Sequence, residues 1–295
     1  MGARRRDSNK GQLPVTHLDE DDEIRPNYEP DAERIATAVQ RRLPDFAIIG
    51  AQKGGTTSLH HYLTAHPDVA PAAKKEIHFF DFHFARGVEW YRAHFPLQVQ
   101  GHDGSGLTGE ASPSYLFHPE AGARMRATVP DIKLIAMLRN PVDRAYSQYQ
   151  MNVRKGIETL PFAAAIARNQ EELQQGSAAV MSQRWRSFSY LSRGHYADQL
   201  ARWLALFPRE QFLILRSEDF FEDPVRAYDA ALAFLGLPPW QLRQYEARKS
   251  GGYDESLDPE TRRRLSDDFA PHNQRLYALL DQDFGWEHDQ TVASR

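Results

Sequence analysis

Three short apolar runs constrain the fold of this chain most: FAII at 46–49, KLIAML at 133–138 and FLIL at 212–215. None alternates apolar with polar residues, and each is too short for a buried helix. Strands that are apolar on both sides are covered on both faces, as in a parallel sheet of an α/β domain. Helical patterns fill the spaces between them. A helix is expected over 56–65, stopped by His66-Pro67, and another from Pro141 to about Lys155. Further helices are expected near 162–173 and over 196–207, where Leu200, Leu204 and Phe207 share a face. Asp223-Pro224 opens a helix closed by Gly236 and Pro238. Asp258-Pro259 opens one that Pro271 is expected to split from a last helix ending near Gly285-Trp286. Val69 begins a brief extended piece. The predicted architecture is α/β with three layers, a central mostly parallel sheet with helices on both faces.

The 295 residues, 41% of them apolar, can bury one large core, and 41–290 reads as a single domain. Residues 1–40 hold the acidic run Asp19-Glu20-Asp21-Asp22-Glu23 and few large apolar side chains. They are expected to be a disordered tail, with a short lead-in helix over 31–40. A net charge of -4 disfavours a general nucleic-acid binder, since no basic excess is present to meet phosphates. The cysteine count is 0, which excludes a disulfide, a thiolate metal site and a cysteine nucleophile. No signal-peptide core and no membrane-length apolar stretch occurs, so a cytoplasmic location without membrane insertion is expected.

Ligands of parallel sheets sit at the carboxyl ends of strands. The first of three chemically loaded turns there reads Gly50-Ala51-Gln52-Lys53-Gly54-Gly55-Thr56-Thr57. Glycines let successive N–H groups turn inward, and the helix start adds positive partial charge, so the turn suits an anion. The spacing from Gly50 to Gly55 matches a nucleotide-binding P-loop, but Thr56 stands at the usual lysine position and Lys53 lies inside the loop. A lysine there approaches the bridging oxygen of a diphosphate-like group. The second turn begins at Arg139 and the third contains Glu218 and Asp219, either of which can be argued as a displaced metal ligand. A P-loop nucleotide kinase is therefore an alternative on these residues alone.

Several ordered motifs extend the pattern: FAIIGAQKGGTTSLHHYLTAHPDV, KKEIHFFD, GVEWYRAHFP, GEASPSYLF, KLIAMLRNPVDRAYSQY and LYALLDQDFGW. Together they resemble the PAPS-dependent sulfotransferases, in particular the heparan sulfate sulfotransferase-like branch with bacterial members. PAPS is 3′-phosphoadenosine 5′-phosphosulfate. The resemblance implies a P-loop-like sulfotransferase fold and transfer of a sulfuryl group to an acceptor hydroxyl or amine. The product nucleotide is adenosine 3′,5′-bisphosphate, and no metal is required, since a sulfuryl group carries less charge than a phosphoryl group. It implies that Lys53, Gly54, Gly55, Thr56 and Thr57 hold the 5′-phosphosulfate, with Lys53 steadying charge on the leaving oxygen. Glu76 matches the general base, with a proton affinity expected to be raised by its aromatic surroundings. His78 is a second candidate, expected to share Glu76's face in an extended strand. Arg139 and Ser147 match the residues that hold the 3′-phosphate, and Ser147 lies about two turns along the next helix. A structural ion pair with Asp143 or Glu218 is the other reading of Arg139. Arg144 reads as support for the helix. Lys249, Ser250, Gly251 and Gly252 stand where the family has a glycine-containing basic loop over the nucleotide, without its usual second basic residue.

GEASPSYLF resembles the segment flanking the acceptor cleft, where Tyr115 is either a stacking ring or a core residue. The expected acceptor is a carbohydrate, a glycolipid head group or a small secondary metabolite. A catalytically silent nucleotide-binding module is a further alternative, disfavoured because mere binding needs no base such as Glu76.

Overall fold

The computed structural model describes residues 29–97, 106–174, 187–245 and 257–287. The three apolar runs are strands β1 (Phe46–Gly50), β4 (Lys133–Leu138) and β5 (Phe212–Arg216). Two further strands, β2 (Val69–Pro71) and β3 (Leu107–Ala111), complete a five-stranded sheet of order β2-β3-β1-β4-β5. All four pairings are parallel, so every strand delivers its carboxyl end to one edge.

The burial is two-sided as the unbroken apolar runs require. Ala47 and Ile49 of β1 face one core cluster, whereas Phe46 and Ile48 face another. The first cluster is filled from α3 (Val88–Arg92), α4 (Ala121–Thr128), α7 (Tyr196–Leu204) and α10 (Pro259–Leu280). The second is filled from α2 (Thr56–Thr64), α8 (Ser217–Glu222) and α9 (Pro224–Leu235). A third cluster joins α5 (Pro141–Arg154), α6 (Phe162–Gln174) and Phe269 of α10. Ile48 and Ile135 are fully buried, each stabilising the sheet by about 1.5–3 kcal/mol.

The lead-in segment contains α1 (Ala32–Ala36) and a 3-10 turn, Ala38–Gln40. Arg34 Nε donates to the Ala93 carbonyl at 2.6 Å, and Arg41 donates to the Phe95 carbonyl at 2.9 Å, which ties this segment to the end of α3. Among the described residues no helix is long and apolar enough to cross a membrane.

β3 and α10 differ from the reading of the sequence. β3 (LTGEA) carries none of the apolar signal of its neighbours. Its Glu110 is buried because three hydroxyls satisfy it, and Gly109 is needed because a Cβ there would lie 2.5 Å from the Phe46 ring. The second difference is that Pro271 does not split α10, which runs unbroken from Pro259 to Leu280. Leu265, Phe269, Asn273, Leu276, Tyr277 and Leu280 are buried along this helix, while Pro271 and Asp267 are exposed. Pro271 thus lies on the outer face of the helix, and continuous packing along the inner face outweighs the local cost.

Candidate active site

β1 lies between β3 and β4, and its carboxyl end opens into the glycine turn. The turn is braced from below: the Ala51 N–H donates to the Met137 carbonyl at 2.8 Å and the Gly54 N–H to the Ala51 carbonyl at 2.9 Å. Ser217, at the start of α8, donates to the Gly54 carbonyl at 2.9 Å. A Cβ on Gly54 would lie 2.5 Å from the Met137 oxygen, so this turn closes only with glycine. Gly55, at φ 93°, caps α2 without a side-chain hydrogen bond, and Thr56 and Thr57 open the helix beyond it. The first N–H groups of α2 thus lack a side-chain cap, and the side-chain oxygen of Gln52 is buried without a partner. Lys53 takes a left-handed backbone, φ 74°. The turn has the polar capacity and helix-terminal charge that an anion requires.

Arg139, at the end of β4, donates to the Lys53 carbonyl at 3.3 Å and lies 5.6 Å from the centre of the Phe221 ring. The two carboxylates considered as its structural partners are engaged elsewhere. Asp143 pairs with Arg262 at 2.5 Å, and Glu218 lies 3.4 Å from Arg216. Among the described residues no carboxylate pairs with Arg139, so its guanidinium fork lies against the turn without a fixed counter-ion. Glu218 also accepts the Asn140 N–H at 2.7 Å and the Trp286 indole N–H at 3.2 Å. It holds the entrance to α5 rather than facing a ligand. The Asn140 side chain caps α5, accepting the Val142 N–H at 3.0 Å. Ser147 sits on this helix, two turns from Arg139, and is buried. Arg144 is also fully buried, donating to Gln148 and to the Tyr190 carbonyl, in keeping with a supporting role. Burial and the nearby Arg139 charge, partly offset by Tyr196, bring it down to about 10.

The segment carrying Glu76 and His78 crosses the carboxyl end of β3, where the Glu76 N–H donates to the Ala111 carbonyl at 3.1 Å. It is not the extended strand expected. Glu76 and His78 both lie in the left-handed region, at φ 61° and 57°, before a π-helical turn, Phe79–His83. Their side chains nevertheless meet, with His78 Nε2 3.4 Å from a Glu76 oxygen. His78 Nδ1 lies 2.9 Å from Asp81, and the Ser114 hydroxyl donates to the same Asp81 oxygen. Lys75 Nζ donates to the other Glu76 oxygen at 2.9 Å. Glu76, His78, Asp81 and Ser114 form one chain of contacts, flanked by Lys75. Asp81 and Ser114 were not singled out in the sequence, although Asp81 ends KKEIHFFD three residues after His78.

The electrostatics correct the expected raised proton affinity of Glu76. Partial burial pushes it up, but the hydrogen bond from His78, the Lys75 ammonium and the His78 charge overcome this. Glu76 is held well below the usual carboxylate range. Burial likewise opposes charge on His78, yet Asp81 and then Glu76 lift it to about 9. Asp81 is pushed up by burial but lowered overall by the His78 charge and by the His78 and Ser114 hydrogen bonds. At neutral pH the chain is anion, cation, anion. Tyr115 is a core residue and not a stacking platform: it is fully buried, and its hydroxyl donates to Glu110 at 3.0 Å. Lys249, Ser250, Gly251 and Gly252 lie outside the described residues.

The geometry is therefore a glycine turn suited to an anion and an arginine at the ends of β1 and β4, with an ionised carboxylate at the end of the adjacent β3. Comparison with known proteins assigns the family. The profile of the Sulfotransferase domain covers residues 43–262. Heparan sulfate glucosamine 3-O-sulfotransferase 6 of Homo sapiens is 35% identical over 270 residues, 84% of this chain and 75% of that protein. Heparan sulfate glucosamine 3-O-sulfotransferase 3B1 of Mus musculus is 32% identical over 273 residues, 85% of this chain and 66% of that protein. The crystal structure of a sulfotransferase from Alicyclobacillus acidocaldarius is 34% identical with a TM-score of 0.66, covering 83% of this chain and 99% of its own. A domain match of that extent, relatives above 30% identity and a shared fold make this chain an enzyme of the sulfotransferase family.

Proposed function

We propose that the protein moves a sulfuryl group from PAPS to a hydroxyl of a carbohydrate acceptor, and that its donor and acceptor sites meet where β1, β3 and β4 end. The observation that carries this reading is the placement of the glycine turn and the Glu76 segment at the carboxyl ends of neighbouring parallel strands.

PAPS supplies an activated sulfuryl group next to a phosphate. The uncapped start of α2, with its N–H groups and positive partial charge, fits a polar anionic group in the turn. Lys53, Gly54, Gly55, Thr56 and Thr57 would hold its 5′ end, with the Lys53 ammonium opposing charge on the leaving oxygen. Arg139 would supply a fork for the 3′-phosphate, with Ser147 beyond it on α5. Glu76, already ionised, would accept the proton of the attacking hydroxyl. His78 would orient Glu76, with Asp81 and Ser114 fixing the imidazole from its other side. A carbohydrate acceptor is inferred from the relatives named for heparan sulfate glucosamine. The cysteine-free chain supports a cytoplasmic location as part of this proposal.

Calorimetry with adenosine 3′,5′-bisphosphate against ATP with Mg²⁺ tests the donor, and tight binding of ATP alone would overturn it. A mass-spectrometric screen of oligosaccharides incubated with PAPS tests the acceptor by a sulfate-sized gain. Lys53→Ala should nearly abolish that gain. Glu76→Gln should slow it while leaving the nucleotide affinity intact, and equal damage to both would argue against a base.

A further inference from the structure

Glu110 is a carboxylic acid buried in the sheet beneath the candidate base. Its surroundings are hydroxyls: Tyr91 donates to one oxygen at 2.6 Å and Tyr115 to the same oxygen at 3.0 Å, while Ser112 donates to the other at 2.7 Å. Two of these hydroxyls have a second task. The Ser112 oxygen accepts the His78 N–H at 3.1 Å, and the Tyr115 oxygen accepts the Phe79 N–H at 2.9 Å. A hydroxyl has one proton to give. With that proton directed in a hydrogen bond to Glu110, each hydroxyl oxygen turns its lone pairs toward the backbone of 78 and 79. That backbone needs an anchor, because Glu76 and His78 both occupy the left-handed region that side chains disfavour.

We propose that Glu110 is a positioning residue for the Glu76–His78 pair, acting through the hydroxyls of Ser112 and Tyr115 on the backbone of His78 and Phe79. The proposal rests on the reading of Glu76 as the base. Glu110 sets which way two hydroxyls point, those hydroxyls hold two amides, and the amides hold the strained turn that brings His78 against Glu76. Tyr91 separates this role from simple core satisfaction. It bonds Glu110 as closely as the others but holds neither of those amides.

Amide exchange by NMR tests the proposal, with Ser112→Ala, Tyr115→Phe, Glu110→Gln and Tyr91→Phe compared with the wild type. The His78 amide should exchange about tenfold faster in Ser112→Ala, the Phe79 amide in Tyr115→Phe and both in Glu110→Gln. Neither should change in Tyr91→Phe, and β4 amides should hold their rates throughout. The His78 ring, set among Glu76, Asp81, Ser114 and Glu110, should titrate lower in the first three variants and unchanged in Tyr91→Phe. Affinity for adenosine 3′,5′-bisphosphate should stay within about twofold in all four. Unchanged His78 and Phe79 rates in Ser112→Ala and Tyr115→Phe, or equal release in Tyr91→Phe, would overturn the proposal. So would β4 amides or nucleotide affinity failing in step, which would mark a merely structural role. Should Glu110→Gln not fold, the two single-hydroxyl variants still decide. If the wild type binds no adenosine 3′,5′-bisphosphate, the functional reading falls, while the exchange rates judge the positioning role of Glu110 independently.

Discussion

Removing the imidazole of His78 should change how stability depends on pH. His78 goes from an ordinary value of 6.5 to about 9 on folding. Each unit is worth about 1.4 kcal/mol, so the gap corresponds to roughly 3 kcal/mol. Part of this comes from Glu76, whose side chain is 37% exposed and screened by water, which brings the figure nearer 2 kcal/mol. A group whose pKa rises on folding holds its proton more tightly in the native state. Its stabilisation is therefore complete below about 6.5 and is lost as pH climbs through about 9. Glu76 and Asp81 are shifted downward, so their contributions are present above the ordinary carboxylate range and vanish as acid protonates them. The contributions of all three groups to stability are present together between about pH 5 and 6.5. Urea unfolding of wild type and His78→Gln, followed by tryptophan fluorescence at several pH values, measures the effect. The wild type should be more stable at pH 6 by a margin that shrinks by about 2–3 kcal/mol on reaching pH 9.5. A margin constant across that range would refute the reasoning, because it would show His78 contributing packing but no linked proton.

Three other perturbations follow from the same contacts. Gly54→Ala places a Cβ 2.5 Å from the Met137 oxygen and 3.0 Å from the Ala51 oxygen, both backbone atoms that cannot rotate away. Thermal denaturation should show a loss of about 2 kcal/mol or more, and calorimetry at least about tenfold weaker adenosine 3′,5′-bisphosphate binding. Because Glu76 is already ionised, the rate of sulfuryl transfer should show no ascending limb between about pH 5 and 8. A limb near 6 or 7 would mean a base of raised proton affinity. Pro271→Ala restores a helix N–H opposite the Asp267 carbonyl and should stabilise the protein by about 1–2 kcal/mol in a thermal melt.

The parts of the fold readable in the sequence are those whose cause is local. β1, β4 and β5 are apolar on both sides because both sides are covered, and this leaves its mark in four to six consecutive residues. The glycine turn is readable for a similar reason. Gly54 and Gly55 are demanded by backbone sterics within the turn and its immediate floor, which few other residue types can meet. β3 hides because its stability is supplied from elsewhere. Tyr91, distant in sequence, satisfies Glu110, and the Phe46 ring occupies the space above Gly109. A strand whose polar residues are satisfied by other elements has the local composition of a turn.

The candidate site divides along the same line. Chemistry named residue by residue in the motifs comes together at one edge of the sheet, but its conformation and charge state do not follow from the motifs. Glu76 and His78 are two apart, which in a strand would align them. They meet instead through two left-handed residues, held by hydroxyls more than thirty positions away. An aromatic neighbourhood argues for a carboxyl of raised proton affinity, and burial does push Glu76 that way. Two cations placed by the turn reverse the sign. Lys75 is adjacent in sequence and His78 nearly so, yet adjacency along a chain says nothing about whether side chains converge. That convergence depends on the backbone angles at 76 and 78, and those angles depend on β3. The acid-base character of the site is thus a property of the sheet beneath it as much as of the residues that carry the chemistry.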